Sequence, residues 1–262
     1  MSDNEKTELA HWESSWAARP RMNFPSGVDV GSRNVLSLLR RYLRPGMRYV
    51  EIGCAPGKIL SWVAREIQAQ VCGIDYSPTG VDTARWLCNG LGVQADIRCE
   101  DAMHTSFEEG AFDLVFSCGL IEHFDDPVPM VAAHVGMLAP GGIAVIAVPN
   151  YSGIYLKLQS WCDPGNLAIH NLDIMNEVTM TELAPKSSEL VCRAFRFGSF
   201  SPWLISLPAR LGRLGKLISW AINFFAHLQP FDIPGLCPLV VLEVKRRSEG
   251  SSCNLGRVDG DI

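Results

Sequence analysis

An α/β domain built on a mostly parallel sheet of about seven strands is predicted by three observations. Short apolar runs alternate with helix-period segments from about residue 32 to residue 148, the pattern of repeated βαβ units. A glycine-bearing turn, V-E-I-G-C-A-P-G-K from Val50 to Lys58, joins the first strand to its crossover helix. The chain has 262 residues, 47% of them apolar and 19% charged, enough to bury a core without disulfides or metals.

The elements follow from that rhythm. Strands are predicted at 48–52, 70–75, 95–99, 112–117 and 142–148, and helices at 32–43, 57–67, 79–91 and 127–137 fill the gaps. The stretch L-A-P-G-G, 138–142, reads as a turn, because Pro140 and Gly141 do not continue a helix. After Pro149 a loop-rich stretch is expected to about residue 175, then a helix near 177–185 and a strand at 191–197. An apolar insert from Phe200 to Cys237 precedes a final strand, Leu239 to Val244. Residues 1–31 read as an N-terminal helical segment and 32–247 as the domain, with insertions at about 150–188 and 200–237. The tail 248–262 has little to bury and is expected to be flexible.

The 28 acidic and 23 basic side chains leave a charge of −5, which argues against nucleic acid as a partner. Nine cysteines are scattered with no C-x-x-C pair, the usage expected in a reducing compartment. The N-terminus carries acids where a signal peptide carries bases, and the longest apolar run, Leu217 to Phe225, is about half a membrane span. A cytoplasmic location is the expectation.

Asp75, at the end of the second strand, follows Gly53 by about 20 residues, the spacing at which a carboxylate holds a ribose diol. A P-loop is excluded, since only three residues separate Gly53 from Gly57 and Ile59 stands where a hydroxyl is needed. A dinucleotide fingerprint is disfavoured, since Ala55 and Lys58 replace two of its glycines. Glu51, Asp75, Asp101 and Glu122 fall at strand ends on one rim, which repels a pyrophosphate and suits a cation. S-adenosylmethionine is a sulfonium without phosphates. Glycines can also serve packing alone, and Asp75 can also cap the helix starting at Ser77.

On these motifs the chain resembles the class I S-adenosylmethionine-dependent methyltransferases, particularly the small-molecule branch of ubiquinone-type O-methyltransferases, over about residues 33–150. The resemblance implies a Rossmann-like sheet of seven strands, mostly parallel, with helices on both faces and the last strand antiparallel. It implies that Glu51, Gly53, Ala55 and Gly57 cradle the methionine part of the cofactor, that Asp75 binds the ribose, and that Tyr76 lies beside the adenine. It also implies that Asp101 accepts from the adenine amine, that Ala102 offers backbone, and that the strand carrying Cys118 floors the methyl-transfer site. The implied activity is methyl transfer to a hydroxyl of a small, partly hydrophobic acceptor, by analogy in secondary metabolism or on a lipid-like quinone. The alternatives are N-methylation, a non-catalytic cofactor-binding subunit and, remotely, an NAD-dependent oxidoreductase.

Methyl transfer from a sulfonium needs alignment and exclusion of water, and a base only when the acceptor must lose a proton. His123, just after the fourth strand, is the candidate base, and His170 is the reserve or a pocket wall. A rival reading packs His123 against the helix starting at Pro127. His104 and His134 read as surface or helix residues. Some relatives hold a divalent metal with E-x-x-E-H; here Gly119 replaces the first carboxylate beside Glu122 and His123, so no required metal is expected. Trp12 and Trp16, four apart, fall on one helical face. The resemblance implies that residues 1–31 form a helical lid over the cofactor and that the insertions at about 150–188 and 200–237 shape the acceptor pocket. The rival reading of the first is a helix packed on the sheet edge. The insert, with Arg210, Arg213 and Lys216, admits a lid, a homodimer interface or a membrane-surface helix over 203–228. Gly212 and Gly215 favour protein contact over lipid.

Overall fold

Seven strands, β1 (Arg48–Ile52), β2 (Gln70–Asp75), β3 (Asp96–Cys99), β4 (Phe112–Cys118), β5 (Leu138–Pro149), β6 (Leu190–Phe197) and β7 (Leu239–Arg246), form one sheet in the order β3-β2-β1-β4-β5-β7-β6. The computed structural model describes residues 5–18, 24–25, 29–228, 232–233 and 235–248. β1 runs parallel to both β2 and β4, and β7 runs antiparallel to both β5 and β6. The fold is therefore the Rossmann-like one expected. Strand order reverses between β1 and β4, and a ligand crevice opens outside the carboxyl ends of such a pair.

Two cores sandwich the sheet because successive strand residues face opposite sides. Val50, Ile52 and Val115 belong to one cluster, while Tyr49, Leu114 and Phe116 belong to the other. Helices α2 (Val30–Leu39), α3 (Lys58–Trp62), α4 (Pro78–Gly90) and α5 (Val128–Gly136) cover the sheet near the positions expected. A π-turn, Val63–Ile67, continues α3.

Three stretches differ from the sequence reading. The segment expected to be loop-rich holds α6 (Gly153–Cys162), α7 (Pro164–Ala168) and a 3-10 turn, Leu172–Ile174. Tyr155, Gln159 and Cys162 turn inward at helical spacing, and the Asp163 side chain caps α7 by accepting from Asn166 N–H. The expected L-A-P-G-G turn lies inside β5, where a register shift opposite Phe112 and Leu114 absorbs it. The apolar insert forms one helix after α8 (Glu177–Glu182), namely α9 (Leu207–Ala226), kinked at Gly212 with φ 54° and ψ −126°. Among the described residues no helix is long and apolar enough to cross a membrane. The tail from 249 onward lies outside the described residues.

Candidate functional site

The turn after β1 bends at Gly53 and Gly57, with φ of 72° and 85°. At Gly57 a Cβ would come within 2.9 Å of Ala84 Cα, so the absent side chain lets α4 close on the turn. Asp75 ties the turn to β2: one carboxylate oxygen accepts from Ala55 N–H and the other from Ser77 N–H, each at 3.0 Å. Capping of α4 falls to Ser77, whose Oγ accepts from Gly80 N–H, and not to Asp75. Burial raises the Asp75 carboxyl above its usual range, although both N–H donors pull it back. Glu51, also buried, is raised well above its usual value by desolvation and accepts from Tyr49 OH at 3.4 Å.

These groups open on one cavity of about 1090 Å³, whose wall includes Glu51, Gly53, Ala55, Asp75, Tyr76, Asp101, Ala102, Cys118, His123 and His170. Gly57 is not on that wall; it acts from behind the turn. Lys58 is the one lysine or arginine among the described wall residues, against seven carboxylic acids, so the acidic rim read from the sequence is a property of the cavity. Asp101 is half-occupied locally, accepting from Met103 N–H at 2.9 Å and meeting His104 Nδ1 at 3.0 Å. Each carboxylate oxygen keeps a second lone pair for a ligand.

His123 sits in a 3-10 turn, Ile121–His123, and lines the cavity, while the helix that follows Pro127 has no side-chain cap. Its ring packs edge-on against Trp12 at 5.0 Å and lies 4.8 Å from the ring of His170. His123 Nδ1 is 3.1 Å from the Ile169 carbonyl oxygen, and His170 Nδ1 bonds the Asn166 carbonyl. A carbonyl only accepts, so each Nδ1 carries the proton and each Nε2 is left as a base or ligand. Burial, then the neighbouring His170, pushes His123 down to about 4. His123 is thus a weaker base than an ordinary imidazole, whose value lies near 6.5.

Sequence reasoning placed Glu122 on the rim without a role. It is fully buried, its Oε2 has no partner, and desolvation pushes its carboxyl up to about 8. Glu122, His123 and His170 each offer one ligand atom within 4.8 Å of one another, a set able to hold a metal ion as well as to share a proton. The E-H dipeptide was visible; its closeness to His170 was not. His134 was expected on a surface or helix and is on a helix but fully buried, its Nε2 accepting from Ser117 Oγ at 2.8 Å.

The lid expectation gains a latch. On α1 (Leu9–Ala18), Glu13 accepts from the hydroxyls of Ser77 and Thr79 at the start of α4. Trp12 and Trp16 stack with ring centres 6.4 Å apart, and both line the cavity.

Residues 50–146 match the family described as "Methyltransferase domain". That match spans under half of the 262-residue chain. The chain is 33% identical over 111 residues to a ubiquinone biosynthesis O-methyltransferase of Xanthomonas campestris, covering 42% of this chain and 46% of that protein. It is 33% identical over 119 residues to a chloroplastic tocopherol O-methyltransferase of Arabidopsis thaliana, covering 44% and 34%. The chain thus spans under half the length of these curated relatives. Among solved structures, phosphoethanolamine N-methyltransferase 2 of Haemonchus contortus matches with a TM-score of 0.58 at 18% identity, over 91% of this chain and 57% of that one. The cyclase SpnF matches with a TM-score of 0.57 at 16% identity, over 92% and 94%. Structural likeness at these identities establishes the methyltransferase fold and leaves the reaction to the site.

Proposed function

We propose that this protein transfers a methyl group from S-adenosylmethionine to a hydroxyl of a small, partly hydrophobic acceptor. The observation that carries the reading is a single cavity joining an acidic, phosphate-averse cofactor side to the His123–His170 pair. When bound, the cofactor supplies a methyl group on a sulfonium, an electrophile with its leaving group built in. Gly53, Ala55 and Glu51 would hold its methionine part, with Gly57 shaping the turn from behind, Asp75 would hold the ribose, and Tyr76, Asp101 and Ala102 the adenine, with Cys118 also on the cavity wall. Buried carboxyls without full partners favour a cationic guest.

His123 Nε2 takes the acceptor proton as the oxygen attacks. A base held near 4 is weak, and the proton arriving on it makes a cation near Glu122, which favours the ionised form of that carboxyl. Glu122 then releases its own proton to solvent, so one proton enters the cluster, one leaves, and the charge of the cluster is unchanged, with His170 as the second imidazole. Trp12 and Trp16 on α1 line the cavity and exclude water from it, Trp12 directly against His123. No metal is required by this route.

The ubiquinone and tocopherol relatives support a hydroxyl acceptor over an amine. The test is calorimetric titration with S-adenosylhomocysteine and with NAD, followed by a panel of phenolic and amine acceptors read by mass shift. Binding of the former and methylation of phenols are expected; preferential NAD binding ends the reading, and methylation of amines alone replaces its acceptor.

A further inference from the structure

We infer that the outer face of α9 docks on the surface of an anionic lipid bilayer. Leu214, Leu217, Trp220, Phe224, Phe225 and Leu228 are all exposed there, Trp220 at 71% and Leu228 at 75%. These side chains are not loose ends of a misplaced helix. Leu211, Ile218 and Ile222 pack the opposite face onto the core, and Asn223 Oδ1 accepts from Val30 N–H at the start of α2, 2.9 Å away. Of the two glycines that favoured protein contact, Gly215 lies against the Leu207 backbone on this inner face, whereas Gly212 forms the kink and faces open space.

Charge selects the occupant. Arg210, Arg213 and Lys216 are exposed on the same helix, and no Asp or Glu occurs between Glu189 and Asp232 in a chain that is acidic overall. Arg210 also sits over the ring of Trp161 on α6, 5.5 Å from its centre, which adds a second half-exposed tryptophan beside the cations. Basic residues with tryptophan and phenylalanine on one exposed surface suit the headgroup boundary of an anionic membrane. A twofold interface with a second copy would set this cationic patch against itself with no carboxylate from the patch to offset it. A lid is disfavoured too, because the described wall of the large cavity ends at Ser206, just before α9.

A groove lined by Asp29, Ser206, Trp220 and Asn223 shares Asp29 and Ser206 with the cavity wall. Docking through α9 therefore sets the groove that borders the cavity beside the membrane, and, resting on the proposed function, an amphiphilic acceptor drawn from the bilayer is the fitting substrate class.

Co-sedimentation of the full chain with vesicles of phosphatidylcholine, alone or mixed with phosphatidylglycerol, tests the docking. The wild type should bind the mixed vesicles and leave them as salt rises. Replacing Arg210, Arg213 and Lys216 together by Gln should weaken partition on the order of 100-fold. Trp220→Ala with Phe224→Ala should weaken it by about 10-fold or more. Both variants should bind S-adenosylhomocysteine as the wild type does, which reports an intact fold. Failure of the wild type to bind the ligand would sink the proposed reaction while leaving docking standing. Docking itself is overturned if the wild type ignores mixed vesicles, if the variants bind them equally well, or if ultracentrifugation shows a dimer that Trp220→Ala dissolves.

Discussion

His123 is enclosed by Trp12, His170 and the Ile169 carbonyl, so its single available nitrogen is aimed by three neighbours from two segments. His123→Ala should lower turnover by about 100-fold with affinity for S-adenosylhomocysteine nearly intact, as measured by steady-state kinetics and calorimetry. His170→Ala should act chiefly on acceptor KM. Protonation also bears on stability at this scale. His123 and His134, both held near 4, resist the proton that the unfolded chain takes up near 6.5, so stability rises with pH between those values. Glu122 has the opposite sign: it keeps a proton up to about 8 that the unfolded chain releases near 4.5, so stability falls across that interval. Between pH 6.5 and 8 the histidines no longer contribute, and Glu122→Gln should remove roughly 2 kcal/mol of the decline, read by denaturant melts at each pH. A slope unchanged by the substitution would place the ionised carboxylate in the native state.

At the scale of elements, the glycine turn and α4 fit closely. Gly57→Ala combines a positive φ with a contact on the Ala84 backbone, and should cost about 1–3 kcal/mol while weakening cofactor binding, a pair of effects that thermal melts and calorimetry separate. α1 is held differently, by polar contacts from Glu13 to the start of α4, together with a backbone bond from Lys6 N–H to the His123 carbonyl. Glu13→Ala should free the helix with little change in melting temperature. Faster hydrogen exchange over residues 9–18 and a several-fold weaker cofactor affinity are the expected readouts. Unchanged exchange would mean that Trp12 and Trp16 suffice to keep the lid shut.

For the whole molecule, the cavity draws its wall from the N-terminal helix, the ends of β1, β2 and β4, and the segment after β5, so its chemistry is a property of the assembled fold. The cluster of Glu122, His123 and His170 has a ligand set that zinc would accept. Since the proposed route uses those atoms for a proton, dialysis against a chelator should leave turnover unchanged. Collapse of activity that a divalent ion restores would convert the cluster into a metal centre and remove His123 as the base.

The order of βα units, the glycine turn and the place of Asp75 at the end of β2 were all legible in the sequence. Their signals are local: hydrophobic period, turn chemistry and short spacing act within a few residues of one another. The short helices after β5 were not legible, because they owe their existence to what Tyr155 and Cys162 pack against more than to a strong period. The same holds for the site. Glu122 and His170 lie far apart in sequence, and only the packing of the segment after β5 onto the end of β4 joins them, removes their water and drives their proton affinities in opposite directions. Which face of α9 meets solvent was likewise decided by its docking on α2 and the core, since composition shows that a helix is apolar and basic but not which side the rest of the chain will cover.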